Sequence, residues 1–174
     1  MNDLPRVNGR ASDSQFAQNP LPIAHAMGLS LAALHCSADV DGLESQTPAE
    51  VEGGLSALTD LGDTERPPAP YGRVRPSVLK DMLRTQPDER PLVRTHGAPV
   101  VDAAVVVDSV VTFENAGTEG LDPAERDLAI VFRSISETFT SEVCTAFLDG
   151  YLEGGGEMPH GPTLDWYALV AALR

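Results

Sequence analysis

Lysine is almost missing from this chain. Lys80 stands alone among 12 basic residues, set against 26 acidic ones in 174, for a formal net charge of -14. That balance excludes nucleic acid and anionic lipid surfaces as natural partners, since both require clustered positive charge. A solubilising acidic surface, a basic partner or a cationic ligand fits it. Cysteine is equally scarce: Cys36 and Cys144 show no Cys-x-x-Cys spacing and read as free thiols in a reducing compartment. The adjacent His35-Cys36 pair has no further ligands at sensible spacing, so no metal site is expected. No apolar run approaches the roughly 18 to 20 residues that a membrane helix requires. Met1 to Arg10 is polar and precedes no signal-like apolar core, so the chain is expected to stay in the cytoplasm.

What is present is mostly helical patterning. Asn19-Pro20 offers an N-cap and a first-turn proline for a helix through His35, with Ile23, Met27, Leu31 and Leu34 along one face and Gly28 as a weak spot. Residues 39–75 read as a loose, acidic, Pro- and Gly-rich insert, with a short helix over 51–61 and none at Pro67-Pro68-Ala69-Pro70. A helical stretch from Ser77 to Leu83 carries Lys80. Strands near 100–107 and 110–113 form a hairpin buried on both faces, turning at Asp108-Ser109. Asp122-Pro123-Ala124-Glu125 supplies an N-cap, a first-position proline and an acid three residues on, predicting a helix over 123–137 that buries Leu128, Val131, Phe132 and Ile135. Another starts at Ser141, turns Val143, Phe147, Leu148 and Tyr151 inward and stops at Gly154-Gly155-Gly156. A last amphipathic helix runs from Pro162 or Thr163 through Leu173. The fold class expected is α+β, mostly helical over one small hairpin. Residues 1–18 read as a flexible lead, and 19–174 as one domain around a single core.

Five blocks in order carry a family signature. Leu92-Val93-Arg94 is a short apolar strand leading into Thr95-His96-Gly97-Ala98-Pro99. Val110 to Glu114 is followed by Asn115-Ala116-Gly117, and Gly120-Leu121-Asp122-Pro123 leads to Asp127-Leu128-Ala129. Leu31-Ala32-Ala33-Leu34-His35 lies upstream and Phe147-Leu148-Asp149-Gly150-Tyr151 downstream. Together, over about residues 20–152, these resemble the aminoglycoside and choline phosphotransferase family, where a strand enters a His-Gly-Asp loop with a later Asn, a second strand ends in Ile-Asp-x-Gly, and an Asp-Leu-Ala opens a helix. The resemblance implies the C-terminal lobe of a protein-kinase-like fold. The segment before Asn19 is too short for the N-terminal sheet with its glycine-rich turn, and the phosphate-pairing lysine is missing.

The same resemblance assigns the functional positions. In that family the loop Asp orients the substrate hydroxyl, and the Asn and the second Asp hold magnesium on the phosphates. Here those positions are Ala98, Ala103 and Asn115. Alanine neither accepts a proton nor coordinates a cation, and an amide oxygen is a poorer magnesium ligand than a carboxylate. Asp102 and Glu114 each precede an expected site by one residue, but in an extended chain that offset turns a side chain to the opposite face. The resemblance gives His96, Gly97, Gly117 and Asp127 a structural place in the vestigial site: the acid supports the loop backbone and the histidine packs beneath it.

Three readings follow. The first is a non-catalytic, pseudokinase-type protein that binds another protein chain or itself, with no cofactor expected. The second is an ATP- and magnesium-dependent phosphotransferase of a small hydroxyl substrate, completed by another chain. The third is a binder of a cationic small molecule in an acidic cleft. The loss of all three catalytic polar positions favours the first.

Overall fold

The computed structural model describes residues 8–61, 65–108, 110–114 and 119–174, with the side chain of Gln15 left aside. The element carrying most of the packing is α2 (Pro20–His35), which starts on the predicted proline and presents Ile23, Met27, Gly28 and Leu31 to the interior. It lies against α6 (Ser141–Glu153), which buries Val143, Phe147, Gly150 and Tyr151. The two backbones touch. A side chain at Gly28 would meet the carbonyl of Phe147, and one at Gly150 the carbonyl of His25.

Also packed on α2, through β4, is a three-stranded antiparallel sheet in the order β1 (Gly9–Arg10), β3 (Ala104–Val107), β4 (Val110–Phe113). The hairpin pairs Ala104 with Phe113 and Val107 with Val110, as its valine content predicts, but it is buried on one face and not on both. Ala104, Val106 and Val111 point into the core, whereas Val107, Val110 and Thr112 are exposed, because no described element packs on their side. A second sheet pairs β2 (Leu92–Thr95) with β5 (Gly120–Pro123), Thr95 opposite Gly120. Behind it run α5 (Glu125–Thr138) and α7 (Gly161–Ala172), and α3 (Thr47–Asp60) and α4 (Pro76–Arg84) pack on α7. Among the described residues, no helix is long and apolar enough to cross a membrane.

Four further expectations need correction. First, the lead is not free from residue 8 onward: Gly9–Arg10 pairs with β3, and Ala11 and Phe16, the latter on the single-turn helix α1 (Ser14–Ala17), are buried in the core. Burying an aromatic ring outweighs the polar character of its neighbours. Second, the insert is not loose over 47–60. Helix α3 begins four residues earlier than expected and buries Leu58 against Leu79 and Leu83 of α4. Third, the apolar interior is two clusters. One joins α2, α6, the sheet and Leu128, Val131 and Ile135 of α5; the other joins α3, α4, α7 and Ala129 of α5. Fourth, residues 101–103 form a 3-10 turn before β3, and Asp122-Pro123 belongs to β5, so α5 starts at Glu125 with Ala124 as its N-cap. The Asp122 carboxylate caps a different helix: it accepts hydrogen bonds from the backbone N–H groups of Gln46 and Thr47 and from the hydroxyls of Ser45 and Thr47. A cap signature is a local pattern, and here tertiary structure redirects it to the start of α3.

Candidate functional site

The loop after β2 is built on one buried carboxylate. Asp127, in the first turn of α5 and fully buried, accepts from the backbone N–H of His96 (Oδ2, 2.6 Å) and of Gly97 (Oδ1, 2.8 Å). Its Oδ2 also meets His35 Nε2 at 3.2 Å, and His35 Nδ1 meets the Tyr151 hydroxyl at 2.8 Å. The tautomer that satisfies both neighbours places the imidazole proton on Nε2, so Tyr151 donates to His35, His35 donates to Asp127, and Asp127 holds the loop. Burial, then the nearby acidic groups of Cys36, Glu125 and Asp127, pushes the Tyr151 phenol well up.

Gly97 sits at φ +85°, a conformation that a Cβ would strain, so glycine is required for the turn. The His96 ring lies beneath, with Nε2 donating to the Glu114 carbonyl at 2.6 Å, Nδ1 receiving the Ala98 N–H at 3.3 Å, and its face tilted on Phe113. The imidazole thereby ties the loop to the end of β4. A second stitch is the Glu114 N–H to the Ala103 carbonyl at 2.8 Å.

The structure brings Ala98, Ala103, Asp102, Glu114, His96, Gly97 and Asp127 into one region through these contacts. Asn115 and Gly117 lie outside the described residues. Ala98 and Ala103 present methyl groups, each half-buried. Asp102 is exposed in the 3-10 turn, where neighbouring side chains diverge by about 120°. It is therefore the turn, and not the strand alternation expected, that separates it from Ala103. Glu114 is exposed and its Oε2 takes Arg10 Nη2 at 2.9 Å, while Arg10 Nη1 donates to the Asp102 carbonyl. Because that ion pair is about half exposed on both sides, Glu114→Gln is expected to change stability by under about 0.5 kcal/mol in urea unfolding. No group of three or more His, Cys, Asp or Glu is arranged to hold a metal ion among the described residues.

A polar layer beneath the loop was invisible to sequence reasoning. Arg126, 2% exposed, donates to both Glu50 carboxylate oxygens and to Thr95 Oγ1 at 3.0 Å, and lies 3.6 Å from Asp122. Arg174 pairs with the same Glu50 and donates to the Gly97 carbonyl at 2.9 Å. Arg126 could have been suspected from its place between Glu125 and Asp127 in an inward-facing turn; Glu50 carries no local signal. Thr47 continues the layer to the Tyr167 hydroxyl at 2.9 Å, and burial pushes that phenol up to about 12, against the lowering effect of the Thr47 hydrogen bond. Tyr71 is raised by burial as well.

A raised folded-state pKa means that the folded form holds its proton longer than the unfolded one. Stability is then complete below about pH 10, the unfolded phenol value, and falls as pH rises through the folded value. The three tyrosines should therefore ionise above pH 10 in the folded chain and together near 10 in guanidinium, read at 295 nm. Coincident curves would show that the phenols are not buried as described.

No protein-family model matches the chain, and no curated protein matches it in sequence. Solved structures do match. An aminoglycoside-3'-phosphotransferase of type VIII superposes at TM-score 0.78 with 20% identity, covering 98% of this chain and 67% of that one. Aminoglycoside phosphotransferase APH(3'')-Id from Streptomyces rimosus, in complex with ADP and streptomycin, gives 0.64 at 15% identity, covering 89% and 64%. Choline kinase LicA from Streptococcus pneumoniae gives 0.54 at 17%, covering 86% and 51%. The chain spans about half to two thirds of the length of these solved chains. Loop, hairpin and helices together have the protein-kinase-like fold of the aminoglycoside phosphotransferases and choline kinases, over the C-terminal part of those larger proteins.

Proposed function

We propose that this chain is a non-catalytic, pseudokinase-type protein that works by binding another protein chain or by self-association, without a nucleotide or metal cofactor. A fold hosts chemistry only through the groups placed on it. The observation that carries the reading is the donor set at the loop. Where a phosphotransferase needs an acid and an amide, Ala98 and Ala103 offer methyl groups, and the nearest carboxylate after the second strand, Glu114, is engaged by Arg10. These described residues do not fit a magnesium nucleotide, which needs carboxylate oxygens on the metal. The contacts of the scaffold, by contrast, are complete: Asp127 and His96 fix the loop backbone.

The test is a thermal-shift titration with ATP and magnesium on the natural chain and on the triple variant Ala98→Asp, Ala103→Asn, Asn115→Asp. No shift is expected for the natural chain. A shift there would overturn the proposal in favour of a phosphotransferase completed by another chain, and turnover with an aminoglycoside or choline would be the next assay. Calorimetry with streptomycin, the ligand of the Streptomyces rimosus neighbour, should show no heat; saturable binding would favour the cationic small-molecule reading.

A further inference from the structure

We propose that the face formed by α4 and α7, at the end of β2 away from the loop, is a docking groove for a basic amphipathic segment of a partner protein. The inference rests on the protein-binding reading above and names the surface and the chemistry of the partner.

Helix α4 uses only part of its apolar surface internally. Leu79 and Leu83 are buried in the second cluster, whereas Val78 and Met82, one turn apart on a neighbouring flank, are 46% and 44% exposed. Opposite them, Pro162, Trp166 and Leu169 of α7 complete a hollow of about 440 Å³. Trp166 is fixed in place by its Nε1–H, which donates to the Met82 carbonyl at 3.1 Å, so the floor is preformed. The same indole lines a second hollow of about 470 Å³ on the other side of the 85–91 segment, with Pro48, Pro87, Leu92 and Tyr167 as its apolar wall. Trp166 is common to the two hollows and joins their apolar walls.

Apart from Arg90, which lines the second hollow, the charged residues at their rims are acidic. Asp81 and Asp165 edge the first hollow, Asp88 and Glu89 the second, and all four are exposed. Of the two nearby arginines, Arg84 pairs with Asp81 and Arg90 with Glu125, and Asp88, Glu89 and Asp165 have no cationic partner among the described residues. An apolar floor with an acidic rim selects a helix or strand that carries apolar anchors with Lys or Arg beside them. A second copy of this chain is disfavoured as occupant, because it would set acidic rim against acidic rim on molecules of net charge -14. Anionic lipid is repelled for the same reason.

The experiment selects binders from a random-peptide library displayed against the intact chain, then measures the recovered peptides by fluorescence anisotropy. The expected consensus is basic and amphipathic, and binding should weaken by about tenfold or more in Met82→Glu and in Asp165→Lys. Raising the salt concentration should weaken it too. Val78→Glu serves as an independent variant, and unchanged thermal melts show that each variant is folded. Peptides whose affinity survives all three substitutions would overturn this surface while leaving protein binding intact. Acidic or neutral consensus sequences, or no enrichment, would overturn the chemistry assigned to the partner. A dimer in light scattering that Met82→Glu dissolves would replace the partner by a second copy and also overturn the proposal.

Discussion

Asp127→Ala is expected to destabilise the chain by about 3–5 kcal/mol, the usual cost of removing one partner from a buried charged network. The carboxylate satisfies three donors, two of them backbone N–H groups of consecutive loop residues that have no route to water. Each buried donor left without an acceptor costs about 1–3 kcal/mol, and partial collapse around the gap recovers some of that. For a chain of this size the melting temperature should fall by about 6–20 °C. Asp127→Asn is the more telling variant. Its single carbonyl oxygen can serve one of the two amides, and its NH2 group then faces the other, so it should fall between the parent and Asp127→Ala. Hydrogen exchange should accelerate at His96 or Gly97 but not in α6. Urea midpoints for both variants within the range of Glu114→Gln would mean that Asp127 does not hold the loop.

The elements that were legible are those whose signal survives locally. Periodic Ile23, Met27 and Leu31 mark α2, a valine run marks the hairpin, and a proline after a polar cap marks the start of α2. The ordered motif blocks also put His96 and Asp127 in one expected site; in the structure the His96 and Gly97 N–H groups donate to the Asp127 carboxylate. Illegibility begins where one local pattern has two structural solutions. Asp122-Pro123 satisfies the rule for a helix start, yet Thr95 and Arg94 need a strand partner, and Gly120 to Pro123 supplies it. The Asp122 carboxylate is then free to cap α3, some 75 residues away in sequence. Asp102 shows the same ambiguity, since the alternation argument assumed a strand and the chain makes a turn.

Long-range polar pairs lie further from view. Glu50 sits in a segment that composition marks as loose, but its carboxylate neutralises the buried Arg126 and thereby fastens α3 to α5. An uncompensated guanidinium at that depth would be prohibitive, so the order of the insert and the burial of Arg126 depend on each other. Composition described the exposed side of α3 correctly, and could not report the one acid on its inner face.

Glycine gives the sharpest separation between local and tertiary reading. Propensity marks both Gly28 and Gly53 as weak points inside helices, where alanine would be better by about 1 kcal/mol. The structure splits them. At Gly53, on the exposed face of α3, a Cβ meets nothing within 4 Å, so Gly53→Ala should stabilise by about 0.5–1 kcal/mol. At Gly28 a Cβ would stand 2.1 Å from the Phe147 carbonyl oxygen and 2.5 Å from the Tyr151 nitrogen, both backbone atoms of α6 that cannot swing aside. Gly150 is the reciprocal contact: a Cβ there would stand 2.0 Å from the His25 carbonyl oxygen. Relief requires the helices to separate, which opens the cluster around Met27, Leu31 and Phe147 and pulls Tyr151 from His35. Gly28→Ala and Gly150→Ala should therefore each cost more than about 4 kcal/mol, in the range where overpacking removes most of a domain's stability. Circular dichroism melts of the three variants give the test. Gly53→Ala should melt above the parent, and the two crossing-point variants far below it or without a cooperative transition. A neutral Gly28→Ala would mean that α2 and α6 do not cross at backbone contact, and with that the arrangement holding His35 beneath the loop would fall.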